Sequence, residues 1–316
     1  MKALFWNIRG FGARGRRDQI KDLVRGDNID LIGLIETFKS SFSPHELSSI
    51  AGTDRFDWNF LPSSGHSGGI LLGSKRDVFD FVAFDHGIFW ASTVLFHRQL
   101  NSLWEFMVVY GPADHSLSPI FLDEISNKVE ACSLPLVIGG DFNLLRSPTD
   151  KNTSTFSWAL ADAFNDFISS CALREIPRVG SRYTWTNHQP SPIRSVLDGV
   201  LVCSNWDSLF PLATLKSKAI VGSDHAPLIL DAGNHSFLPL LDFSLTPLGS
   251  LLRVFVISLV LKSVPFFLLL IVPLDPWMIG IIARPCFANS FGDGPGITRP
   301  RSAEIRPFSW PRLRPL

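Results

Sequence analysis

An α/β sandwich is the fold class that this 316-residue sequence predicts, and three observations predict it. Apolar runs of strand length outnumber helical patterns. Several of those runs are apolar at nearly every position, which suits strands covered on both faces. The runs also stop abruptly at polar residues, above all in Leu136-Val137-Ile138-Gly139-Gly140-Asp141-Phe142-Asn143, where two glycines precede a carboxylate and a carboxamide. Glycines there permit close backbone approach. Side chains two apart at a strand end point the same way, so Asp141 and Asn143 are candidates to grip one ligand. A strand followed by an Asx turn is the plainer alternative.

In chain order, Ala3-Leu4-Phe5-Trp6 reads as a buried opening strand over 2–7 that runs into Asn7 and the Arg9-Gly10 turn. Ile20, Leu23 and Val24 among charged residues predict an amphipathic helix over 14–25 with a basic outer face. A second apolar run, 30–35, again ends in a carboxylate, Glu36. Residues 63–69 form a Ser/Gly loop, with His66 an ordinary member of it, feeding the strand Ile70-Leu71-Leu72. Further strands are expected over 89–95 and 104–110, the latter closing at Tyr110-Gly111-Pro112. Helices are expected over 118–131 and 158–171, on either side of the strand at 136–140. Residues 183–187 and 195–202 read as a strand pair around a Pro-rich loop, and Gly222-Ser223-Asp224-His225 as a loop entering the strand 228–230.

Composition narrows the function classes. Cys132, Cys171, Cys203 and Cys286 lack metal-site spacing, which argues against structural zinc and fits reduced thiols in an intracellular protein. The apolar N-terminus is too short for a signal peptide. The 29 basic and 29 acidic residues balance overall, but eight bases and four acids lie beyond residue 231, leaving 21 bases and 25 acids before it. A mildly acidic body is no footprint for DNA binding through phosphate charge alone. Phosphate chemistry here needs local bases or a metal ion.

Gathered from strand ends and loops, the polar candidates are Asn7, Glu36, Tyr110, Asp141, Asn143, Asp198, Asp224 and His225. Hard oxygen donors with one imidazole suit magnesium, which takes one or two carboxylates plus a substrate phosphate, better than zinc. The chemistry suggested is metal-assisted phosphodiester hydrolysis.

These residues resemble the magnesium-dependent endonuclease/exonuclease/phosphatase superfamily. The matching motifs lie in order over residues 1–231: Phe5-Trp6-Asn7-Ile8-Arg9-Gly10, Ile35-Glu36-Thr37, Val109-Tyr110-Gly111-Pro112, Gly140-Asp141-Phe142-Asn143, Tyr183-Thr184-Trp185, Leu197-Asp198 and Ser223-Asp224-His225-Ala226-Pro227. Within it, the opening Trp-Asn-Ile-Arg-Gly-Phe-Gly with its basic helix, and Ser67-Gly68-Gly69-Ile70, look most like the endonuclease domain of plant LINE-type non-LTR retrotransposons. The resemblance implies a deoxyribonuclease-like, four-layered α/β sandwich: two mostly antiparallel sheets face to face with helices outside.

The resemblance also implies roles. Glu36 coordinates Mg²⁺, with Mn²⁺ as a substitute ion, and Asn7 and Asp224 complete or steer its shell. Asp141 orients or deprotonates the attacking water, Asn143 bonds the scissile phosphate and Tyr110 lies beside it. His225 pairs with Asp198, as base or as phosphate clamp. Arg9, Thr184 and Trp185 are expected on the substrate side, although packing is the commoner use of a Trp. Gly199 stands where the family carries a larger residue, often Arg, so activity is expected to be weakened without loss of fold.

The implied activity is DNA nicking that leaves a 3′-hydroxyl, in the nucleus, with DNA as partner and no stable protein partner. The alternatives are an abasic-site endonuclease or small-molecule phosphatase of the same fold, and a catalytically inert transposon remnant. Residues 232–316 break the pattern. The apolar stretch 251–274 approaches the length of a membrane span, but Arg253, Lys262, Pro265 and Pro273 argue against one. The Gly292-to-Leu316 end reads as unstructured, and the whole tail as out-of-frame or read-through sequence.

Overall fold

Strand β1 (Lys2–Asn7) buries both of its faces, which is why it is apolar at successive positions: Ala3 and Phe5 point to one core, Leu4 and Trp6 to another. The computed structural model describes residues 1–52, 55–63 and 68–233, with the backbone of 241–245, 252–261 and 264–273. After β1 come α1 (Arg14–Gly26), β2 (Leu31–Ile35), α2 (Pro44–Ala51), β3 (Phe56–Leu61), β4 (Ile70–Lys75), β5 (Phe79–His86) and β6 (Trp90–His97). The middle of the chain holds β7 (Ser102–Tyr110), α3 (Ser118–Ala131), β8 (Leu136–Asp141), α4 (Trp158–Ser170) and β9 (Leu173–Glu175). There follow β10 (Arg178–Val179), β11 (Trp185–Thr186), β12 (Arg194–Ser195), β13 (Asp198–Cys203), α5 (Ser204–Leu209), β14 (Thr214–Ser217) and β15 (Leu228–Asp231).

Two sheets carry the body. One has the strand order β10-β14-β15-β1-β2-β4-β3, the other β5-β6-β7-β8-β13-β9. Pairing is antiparallel except for β1 with β2, β10 with β14 and β7 with β8. Three hydrophobic cores separate four layers. Phe5, Leu31 and Leu72 of the first sheet meet Phe106, Val137 and Val200 of the second. Ile20 and Val24 of α1 and Ile50 of α2 cover the first sheet's outer face beside Leu4, Ile32 and Leu34. Phe121 and Ile125 of α3 and Phe164 and Phe167 of α4 cover the second beside Met107, Val109 and Ile138. The four-layered sandwich is the architecture of this chain.

The glycine pair of β8 has a packing reason at each residue. A side chain on Gly139 would overlap the ring of Phe5 across the sheets, and one on Gly140, at φ +146, would overlap the Val109 carbonyl. Only glycine lets the two sheets close this tightly at the strand's end.

Several elements escaped the periodicity. Helix α2 has only eight residues and is set by its capping box, Ser43 with Glu46. Strand β5 lies at the sheet's edge with its short apolar run Phe81-Val82-Ala83-Phe84 largely exposed, so no alternation of buried and polar positions marks it. The expected strand pair over 183–187 and 195–202 is corrected. Only Trp185-Thr186 and Arg194-Ser195 pair, and β13 instead joins the second sheet between β8 and β9. Val196 and Leu197 break the run because the Val196 N–H donates to Asp150 O and the Leu197 carbonyl accepts from Phe142 N.

Beyond residue 231 lie β16 (Leu241–Leu245), β17 (Leu252–Leu261) and β18 (Val264–Pro273), an antiparallel sheet of their own in the order β16-β17-β18. The Val, Ile and Phe in these segments favour strands. Among the described residues no helix is long and apolar enough to cross a membrane. His66, Cys286 and the Gly292-to-Leu316 end lie outside the described residues.

Candidate active site

Parallel pairing decides where the polar strand ends meet. Parallel neighbours finish on the same side, so Asn7 and Ile35 are register partners, as are Tyr110 and Asp141. Antiparallel β13 starts at that edge and sets Asp198 opposite Asp141. Just past their strands, Arg9, Glu36 and Asn143 adopt left-handed backbones at φ 49, 53 and 52. This conformation costs a non-glycine residue about 1–2 kcal/mol. Backbone bonds from Ile8 N to Ile35 O at 2.9 Å and from Gly10 N to Glu36 O at 2.7 Å hold the first two. These are three of the eight non-glycine residues with positive φ among the described residues, and all three carry polar side chains into one cleft.

The side chains form two groups, linked where the Arg9 backbone N–H donates to Asn7 Oδ1 at 3.3 Å. Asn7 Nδ2 donates to Asp141 Oδ2 at 2.9 Å, and the Tyr110 hydroxyl donates to Glu36 Oε1 at 2.7 Å. Arg9 pairs with Glu36 at 3.0 Å and with Asp224 at 3.2 Å. The Trp185 indole donates to Asp224 Oδ2 at 3.0 Å. His225 Nδ1 lies 2.9 Å from Asp198 Oδ2, while its Nε2 lies 3.6 Å from Asp141 Oδ2. Asn7, Glu36, Asp141, Asp198 and His225 are all buried. A cleft of about 530 Å³ opens over Glu36, Asp141 and His225, walled also by Leu145, Phe156, Leu160 and Ile193.

Burial and neighbours set the proton affinities. Burial pushes the Asp141 carboxyl up to about 7, against the pull of the His225 charge. Burial opposes charging of His225, but Asp198 and Asp141 overcome it and raise the imidazole to about 9. Burial and the bond to Glu36 drive the Tyr110 hydroxyl strongly upward, so it stays a donor.

The sequence matches the Endonuclease/Exonuclease/phosphatase family over residues 4–225. The chain belongs to that family. No curated protein sequence matches it significantly. Among solved structures, the AP endonuclease LMAP from Leishmania major is similar at TM-score 0.59 and 14% identity, over 72% of this chain and 86% of that one. The endonuclease domain of TRAS1, a telomere-specific non-LTR retrotransposon, is similar at TM-score 0.56 and 12% identity, over 73% and 97%. An AP endonuclease from Archaeoglobus fulgidus is similar at TM-score 0.57 and 15% identity, over 73% and 98%. These likenesses establish the shared sandwich.

As an endonuclease/exonuclease/phosphatase domain, the chain offers two groups of donors to a cation. Asp141, Asp198 and His225 present ligand atoms within 4.8 Å of one another. Both imidazole nitrogens there already face carboxylates, so His225 has no nitrogen turned toward an incoming ion. Glu36 and Asp224 are the better fit for a hard divalent ion. They are oxygen donors, and a cation, the Arg9 guanidinium, already lies between them.

Two expectations need correction. Thr184 is fully buried instead of lying on the substrate-facing rim, because its hydroxyl accepts the backbone N–H groups of Leu197 and Asp198 at 2.9 and 3.0 Å. Asn143 does not share Asp141's direction by strand alternation, since β8 ends at Asp141. Its N–H donates to Asp141 Oδ1 at 3.0 Å, an Asx turn, and its carboxamide donates to Gly111 O at 2.8 Å. Trp185 both lines the cleft and anchors Asp224.

Sequence reasoning passed over Ser223 and Trp6. The Ser223 hydroxyl donates to Asn7 O at 2.8 Å and accepts from His225 N at 3.2 Å, and the Trp6 indole donates to His225 O at 3.0 Å. Both sit inside motifs already noted, so adjacency to Asp224 and Asn7 was the available signal. Gly199 leaves its site roomy. A side chain's first carbon there would meet only Glu175 Oε1 at 3.6 Å, beside a cavity of about 320 Å³ lined by Arg146, Asp150 and Glu175.

Proposed function

We propose that this domain is a Mg²⁺-dependent endonuclease of retrotransposon origin that nicks DNA in the nucleus, leaving a 3′-hydroxyl. The supporting observation is that Glu36, Asp141 and His225 meet at one cleft, with Asn7 bonded to Asp141, Asp198 paired with His225, and Arg9 bridging Asn7 Oδ1 to Glu36. Glu36 and Asp224 would hold the ion, with Asn7 Oδ1 nearby. When bound, the ion supplies positive charge to the phosphodiester and withdraws electron density from phosphorus.

The chain's own residues account for the protons. Water attacks phosphorus and gives its proton to Asp141, whose raised affinity suits it to accept one near neutral pH. The bond to the 3′ oxygen breaks, Asp141 releases the accepted proton to solvent, and that oxygen takes one up from solvent and leaves as a hydroxyl. Cationic His225, oriented by Asp198, faces the negative charge that grows on the phosphate. Tyr110 stays protonated and offers its hydroxyl alongside.

A second reading, cleavage at abasic sites, is favoured by the apolar wall of Leu145, Phe156, Leu160 and Ile193, which suits a sugar without its base. Incubating the protein with supercoiled plasmid, an abasic duplex and inositol phosphates, with Mg²⁺ or with EDTA, separates the readings. Metal-dependent conversion of plasmid to open circles is expected. No cleavage of any substrate would mean an inert remnant.

A further inference from the structure

Arg9 stands at the point where two acidic groups face each other. Its guanidinium bonds Glu36 at 3.0 and 3.3 Å, and its Nε reaches Asp224 at 3.2 Å. Each carboxylate has another tether: the Tyr110 hydroxyl on Glu36 and the Trp185 indole on Asp224. The acids are therefore held in place without Arg9. Arg9 is the movable member, its side chain 50% exposed while that of Glu36 is 4% exposed. Its loop is nevertheless fastened to the end of β2 by the bonds from Ile8 and Gly10, so a released guanidinium stays beside the cleft. Arg16, also close to Asp224, is occupied elsewhere, donating to Gly222 O at 2.6 Å and lying over the Trp6 ring.

We propose that Arg9 is a positioning residue that competes with the divalent ion for Glu36 and Asp224, and turns its charge to the phosphodiester once the ion takes them. This rests on the metal-dependent reading above. With Arg9 in place, two carboxylates and one guanidinium carry a single net negative charge. A divalent ion neutralises both carboxylates and leaves the guanidinium free beside an anionic phosphate. The same side chain thus guards the acids from mutual repulsion without the ion and adds to substrate binding with it.

The test is a calorimetric titration of MgCl₂ into nucleic-acid-free protein. Removing a competitor that makes two partly exposed ion pairs should tighten binding by about five- to tenfold in Arg9→Ala. Arg9→Lys should fall between, because one ammonium does not fork onto both carboxylates. Arg9→Gln repeats the measurement should Arg9→Ala fail to fold. Equal or weaker binding by the variants overturns the competition while leaving the metal reading intact. If the wild-type protein binds no ion at millimolar concentration, the metal reading fails and this inference with it. A second readout is the salt dependence of binding to a DNA duplex in CaCl₂ and in EDTA. Arg9→Ala should lower the log–log slope by about 0.9 in calcium, the value of one phosphate contact, and leave it unchanged in EDTA. Unchanged slopes in both would overturn the transfer of charge to the phosphate.

Discussion

Asn7 Nδ2 donates to Asp141 Oδ2 at 2.9 Å, a single bond that joins the end of β1 in one sheet to the end of β8 in the other. The two residues are 134 apart in sequence and both are buried. The bond satisfies a carboxylate taken out of water, at the same oxygen that lies 3.6 Å from His225 Nε2. The site therefore depends on the sandwich closing in the right register.

Asn7→Leu keeps the volume and removes the donor. A buried carboxylate left short of a partner costs roughly 1–3 kcal/mol. Thermal unfolding should drop by about 2–8 °C, and nicking by about 100-fold or more, on the scale of one preorganised active-site donor lost. A variant with wild-type melting and turnover would show that Asp141 needs no such support.

The pH response follows from His225 and Asp141. Folded His225 holds its proton to about 9, against an ordinary value of 6.5. Its contribution to stability is therefore complete below 6.5 and lost as pH rises through 9. Between about pH 7 and 9 the loss is on the order of 2–3 kcal/mol, and denaturant titrations of His225→Gln should lack it. With Asp141 ionising near 7, kcat/KM for nicking should rise through pH 7 and fall through pH 9. A profile flat across that window would contradict the assigned proton states.

Metal removal should abolish nicking, and Mg²⁺ should restore it. Saturation at about 100 times Kd should add about 2.7 kcal/mol of stability, read as a higher melting temperature that Glu36→Gln no longer shows. Equal stabilisation of Glu36→Gln would place the ion elsewhere.

Two glycines close in space should respond oppositely. Gly139→Ala drives a methyl group into Phe5 between the sheets and should cost about 1–3 kcal/mol or more. Gly199→Ala, with only Glu175 Oε1 in ordinary contact at 3.6 Å, should leave the melting temperature unchanged or slightly raised. Similar losses in both would refute the packing account.

Local chemistry made much of this protein legible in its sequence. Apolar runs covered on two faces announced β1, β2, β7 and β8, helical spacing announced α1, α3 and α4, and the polar residue closing each run marked the site candidates. Asp141 and Asn143 were visible because a carboxylate after two glycines is an abrupt change of environment. Thr184 and Ser223 were not, since a hydroxyl in a motif looks the same whether it faces substrate or holds backbone. Tertiary structure alone decided that Arg9 sits between Glu36 and Asp224, that His225 lies between two carboxylates, and that Val196-Leu197 divides the expected strand pair. Those outcomes depend on register between strands far apart in the chain. Sequence pattern reports how each segment meets water, whereas the distance between two segments is set only when the sheets close.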